Sequence, residues 1–141
     1  MKSLKHLIST GLLAAGLAAG AAEAAEFTLF IYETPADYAL RTDTGADGQA
    51  YWAAYGSYTK ALQESGVIRG VGPLQTEATA KTIRGGKTID GAYATSDLIL
   101  GGYFKIEAAD LDAATAVAAT APSASRGGAV EVRPGFVAPA M

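Results

Sequence analysis

Seven residues, Phe27 to Glu33 (FTLFIYE), restrict the fold of this chain more than any other stretch. Their alternation reads as a β-strand with Phe27, Leu29 and Ile31 on one face and Phe30 and Tyr32 on the other. A strand with one wet face would be polar on that side. Here both faces carry large apolar groups, so both need cover. A chain of 141 residues is one domain rather than two, and its apolar half leans heavily on alanine. Such a thin core favours association, and the expected cover for the second face is another subunit.

The first 24 residues read as a secretory signal. Lys2, Lys5 and His6 form the positive start, Leu7 to Ala22 the apolar run, and Ala22-Glu23-Ala24 a small-x-small cleavage site. The run is rich in Ala and Gly, which makes it a poor membrane span, and no later segment is a better one. The expectation is therefore a single domain from residue 25 to 141, periplasmic or secreted, with no stable span after cleavage. Losing Lys2, Lys5 and Glu23 would make the domain slightly more acidic than the −3 of the whole chain. An acidic chain with scattered Lys and Arg is a poor nucleic-acid binder, because that affinity comes from clustered phosphate neutralisation. With no cysteine, disulfides, thiolate chemistry and Cys-based zinc sites are excluded.

After the opening strand, Thr34 to Gly48 reads as a turn-rich polar loop and Gln49 to Ser65 as a helix stopped by Gly66. Tyr51, Tyr55, Tyr58 and Leu62 recur at helical spacing, as core or as a ligand wall, while Trp52 sits off the stripe at an edge or a dimer contact. Val67 to Gln75 reads as a glycine-interrupted edge strand. Its Gly70-Val71-Gly72 opens no helix and is no dinucleotide fingerprint. Gly85-Gly86 between Lys81–Arg84 and Lys87–Ile89 predicts a hairpin. Leu98 to Glu107 is the next strand. Asp110 then caps a helix over Leu111 to Ala121 that buries Leu111, Ala114, Val117 and Ala118, and Pro122 stops it. Ala129 to Arg133 is the last strand. The order predicts an α+β fold, a ferredoxin-like βαββαβ sheet with an extra hairpin and both helices on one face.

Three stretches together resemble one family. They are the strand ending in Ile31-Tyr32-Glu33; Asp90-Gly91-Ala92-Tyr93 with Leu100-Gly101-Gly102-Tyr103-Phe104; and Asp110-Leu111-Asp112 leading to Gly128 through Pro134. On these the chain resembles the YCII-related superfamily, in its branch named for the DGPF motif. The resemblance implies a dimeric α/β barrel made by two ferredoxin-like subunits, and a homodimer is the expected partner. It also brings in a superfamily thought to hold enzymes with a His–Asp pair, often found near regulators of transcription initiation. The chain departs from the pattern. Ala92 and Tyr93 replace the motif's proline and phenylalanine, Thr95 to Leu98 replace its charged stretch, and the only histidine is His6. A His–Asp pair is therefore impossible after cleavage, and a signal is unusual in a family that is largely cytoplasmic.

Without His or Cys, proton transfer would fall to Asp90, Glu33 or a tyrosine. Asp90-Gly91 reads first as a turn. A ligand contact or a catalytic base at Asp90 is the alternative, with Tyr93 close by. On the sheet face opposite the helices the pattern places Tyr32, Tyr103, Lys105, Glu131 and Arg133. A dimer closing over that face would line a cleft for a small anionic or aromatic ligand, unless Glu131 and Arg133 simply pair across it. Arg84, near the hairpin, reads as a solvated side chain. The carboxylates lack metal-ligand spacing, and neither a metal nor another cofactor is expected. The residues thus point to a non-catalytic ligand-binding dimer. A weak lyase or isomerase using Asp90, or a structural or regulatory protein, stands as the alternative.

Overall fold

The computed structural model describes residues 23–141, so the predicted signal lies outside the described residues except for Glu23 and Ala24. Four strands form the main sheet: β1 (Ala25–Glu33), β2 (Ile68–Pro73), β5 (Ile99–Ala108) and β6 (Ala129–Pro134). Their order is β2-β5-β1-β6, with every neighbouring pair antiparallel. Helix α2 (Ala46–Glu64) follows β1, and α3 (Leu111–Ala118) follows β5. Each helix links two strands that have a third between them. This is the predicted ferredoxin-like α+β layout. Strands β3 (Lys81–Arg84) and β4 (Lys87–Asp90) form the extra hairpin as a separate two-stranded sheet. Its turn needs two residues at positive φ, which Gly85 (58°) and Gly86 (73°) supply. The single chain gives an open sheet, not a closed barrel.

The core follows the parity of β1. Phe27, Leu29 and Ile31 are buried together with Phe104 and Ile106 of β5. Tyr58 and Leu62 of α2 and Ala114 and Ala118 of α3 cover them, so both helices do lie on one face. The alanines bring α3 close enough for the Tyr58 hydroxyl to donate to the Val117 carbonyl at 3.1 Å. Leu111 is not on this buried side; it is 46% exposed. On the other face Phe30, Tyr32 and Tyr103 are only half-buried, with no helix above them.

Three stretches differ from expectation. Thr34 to Gly48 is not a plain loop. Thr34 caps a short helix α1 (Pro35–Ala39), accepting from the Asp37 N–H, and Leu40–Thr42 continues it as a 3₁₀ turn. Helix α2 begins at Ala46 rather than Gln49, because the Asp43 carboxylate accepts from the Gly45 and Gly48 N–H groups and orders the first turn. Helix α3 ends at Ala118, three residues earlier than expected, and Pro122–Ser125 forms a 3₁₀ turn after it.

Candidate functional site

Glu33 sits on the buried parity of β1, and its side chain is fully buried at the end of the strand. A lone carboxylate there would be costly unless paired and hydrogen-bonded. Three elements supply the partners. Arg41, on the 3₁₀ turn, forms an ion pair with Oε2, and the Tyr51 hydroxyl from α2 donates to Oε1 at 2.5 Å. The Tyr55 hydroxyl reaches the same oxygen at a long 3.4 Å.

The guanidinium of Arg41 is engaged on all three nitrogens. Its Nε donates to the Tyr51 hydroxyl, one terminal nitrogen to the Leu74 carbonyl and the other to the Gly101 carbonyl as well as to Glu33. A bulge in β5 makes this possible. Ile31 pairs with Gly102 and Tyr32 with Leu100, so Gly101 is left over. Only glycine fits, since a Cβ there would lie 2.0 Å from Glu33 Oε2 and 2.6 Å from an Arg41 nitrogen.

Burial alone would weaken the Arg41 charge, but Glu33 and Tyr51 more than offset that and hold its pKa above the ordinary value. Burial, then the hydrogen bond to Glu33 and its charge, push the Tyr51 phenol far up, so Tyr51 remains a donor at any working pH. Burial and the same carboxylate push Tyr55 up to about 12.

Arg41, Tyr51 and Tyr55 form one end of a cavity of about 320 Å³ between α2 and the β2–β5 edge of the sheet. Trp52, Val71, Pro73 and Phe104 line its apolar walls, and Lys60 and Gln63 belong to its α2 side. Glu33 is saturated by donors, and Tyr51 both gives and takes a hydrogen bond. Only Tyr55, with its long contact, is free to turn toward a ligand.

Tyr51 and Tyr55 of the helical stripe, and Tyr103, border this cavity, whereas Asp90, Tyr93, Lys105 and Arg133 lie elsewhere. Asp90 stands at the end of β4 and is 84% exposed, ion-paired across the hairpin with Lys81. Tyr93 is 72% exposed, with the Arg84 guanidinium 5.5 Å from its ring centroid. Neither lines a cavity. Tyr103, Lys105 and Arg133 do share the open sheet face. Phe30 faces Tyr103 in register, Arg133 lies 5.4 Å from the Phe30 ring, and Lys105 pairs with Glu26 at 3.3 Å. Arg133 is also ion-paired to Glu131 within the chain. Tyr32 lies on the same face, farther along β1, beside a second hollow.

The sequence reading counted Glu33 among possible proton carriers but left Arg41 inside a loop. The signal was present: an acid continuing the Phe27-Leu29-Ile31 parity must bury its charge, and a nearby arginine is its natural partner.

The sequence profile of the YCII-related domain matches residues 25–136, which takes in every element of the fold. The chain belongs to the YCII-related family. The domain runs from the first strand past the last, and the Glu33–Arg41 cluster, both cavities and the hairpin all lie inside it. Among curated proteins no match to this YCII-related chain is found. Among the described residues, no helix of the domain is long and apolar enough to cross a membrane, and no three His, Cys, Asp or Glu side chains are grouped to hold a metal ion.

Proposed function

We propose that this YCII-related domain is an exported, non-catalytic binding protein that takes a small aromatic molecule into the cavity beneath α2. The observation that carries the reading is the cavity itself. Its volume of about 320 Å³ is of ligand size, its walls are aromatic and aliphatic, and one end carries fixed hydrogen-bonding groups. Lys60, which borders the same cavity and pairs with Glu64 at 3.7 Å, makes aromatic carboxylates the first class to test. The half-buried Phe30 and Tyr103 support dimerisation through the open face, and the N-terminal pattern supports export.

Trp52, the only tryptophan, lines the cavity and reports on it directly. Titration with benzoate, 4-hydroxybenzoate and indole-3-acetate should shift its indole N–H resonance. A Val71→Trp variant, which fills the cavity, should lose the shift of the Trp52 signal. A Trp52 resonance that stays put with all three probes, or moves equally in the filled variant, rules the reading out.

A further inference from the structure

A second hollow, of about 420 Å³, opens on the other side of the Leu74 main chain. We infer that it is a separate binding site for a neutral, hydroxyl-rich ligand of the carbohydrate class. It does not depend on the aromatic-ligand reading of the first cavity.

Three segments build it. Tyr32 and Leu100 of the main sheet, Leu74 to Ala80 after β2, and Ala92 to Leu98 before β5 contribute its lining. The last of these follows the Asp90-Gly91 turn, and the aromatic-binding reading makes no use of it.

The walls are held before any ligand arrives. The Leu74 carbonyl accepts from both Arg41 and the Tyr38 hydroxyl at 2.9 Å, and the Leu74 N–H donates to Gly101. Across the hollow, the Gly91 N–H donates to Ala80 and the Thr82 hydroxyl to the Gly91 carbonyl. The Ser96 hydroxyl bridges the Leu98 N–H and carbonyl, which folds the far loop on itself.

The chemistry of the lining selects the ligand. Among the described residues no lysine or arginine lines the hollow and Glu77 is its only charged side chain, so an anion is disfavoured. Leu74, Leu98 and Leu100 provide an apolar base beside the Tyr32 ring, the kind of surface that covers the C–H face of a sugar. Around it Gln75, Thr76, Glu77 and Thr95 have no side-chain hydrogen bond to the protein among the described residues. They offer both donors and acceptors, as a ring of ligand hydroxyls requires. Thr79 differs, since its hydroxyl is already given to the Thr76 carbonyl.

Saturation-transfer NMR with glucose, N-acetylglucosamine and maltose, each at about 10 mM to reach weak affinities, tests the site. Transfer to sugar ring protons is expected with the wild-type chain. It should fall at least about tenfold in Tyr32→Ala and in the exposed double variant Gln75→Ala/Thr95→Val, while Val71→Trp, which blocks only the first cavity, leaves it intact. The exposed pair guards against a Tyr32 variant that fails to fold. Absence of transfer for all three sugars, transfer untouched by the Gln75/Thr95 variant, or loss in Val71→Trp overturns the inference.

Discussion

Glu33 and Arg41 are coupled by burial: each is tolerable only with the other present. Glu33→Gln leaves the Arg41 charge facing a neutral amide in a site with little water. The expected loss is about 3 kcal/mol in urea unfolding, and the same cost follows from Arg41→Met. The double variant Glu33→Leu/Arg41→Leu should recover only part of it: the pair's own attraction is largely spent on desolvation, but the buried Tyr51 hydroxyl then loses both partners. A Glu33→Gln protein as stable as wild type would show that the carboxylate is not the anchor of the cluster. Ser123 makes the opposite case. Its hydroxyl is fully buried beside that of Tyr55, and no hydrogen bond of sound geometry joins them. Ser123→Ala is therefore expected to be neutral or to stabilise by up to about 1 kcal/mol, measured in the same way.

At the scale of elements, the start of α2 is a device for placing Tyr51 and Trp52. Asp43 stands outside the helix, yet its carboxylate takes two of the N–H groups that the first turn leaves open. Asp43→Ala should cost about 1 kcal/mol and speed amide exchange at Gly45 and Gly48, with little change at the C-terminal end of α2. Uniform acceleration along the helix would mean that the carboxylate supports packing rather than the cap. The start of α2 was hard to read from sequence for this reason. The hydrophobic stripe begins at Tyr51, whereas the first turn is set by a side chain upstream of any stripe. The hairpin was easier, because two consecutive glycines between β-like residues leave few other structures. Asp90 looked like a site residue because Asp-Gly at a strand end is shared by functional loops and simple turns. Its exposure and its pairing with Lys81 are properties of the hairpin's position, which local sequence does not carry.

Across the whole molecule, the tyrosines of α2 link stability to alkaline pH. Burial pushes Tyr58 up to about 12, and burial with Glu33 does the same for Tyr55, against an ordinary value of 10.0. In that window the folded chain keeps protons that the unfolded chain has lost. Their contribution is complete below pH 10.0 and is lost as pH rises toward about 12. Denaturant midpoints should therefore be flat on the neutral side and fall steeply above pH 10.0, less steeply in Tyr58→Phe. An unchanged slope in that variant would remove Tyr58 from the account. The open sheet face makes a second prediction at this scale. Phe30→Lys places a charge at its centre, beside Arg133, and should turn the proposed dimer into monomer in sedimentation without lowering the midpoint. A wild-type chain that sediments as monomer would mean that Phe30 and Tyr103 are tolerated half-wet.

The amino-acid order alone determined the six strands and the two main helices, the ferredoxin-like class, the hairpin and the family likeness. Each of these is written in periods of two or 3.6 residues, or in motifs a few residues long. The pairing of Glu33 with Arg41, the bulge at Gly101 and the two cavities were decided only when β1, α2 and β5 came together. Contacts between residues 8 to 60 positions apart leave no local period to read.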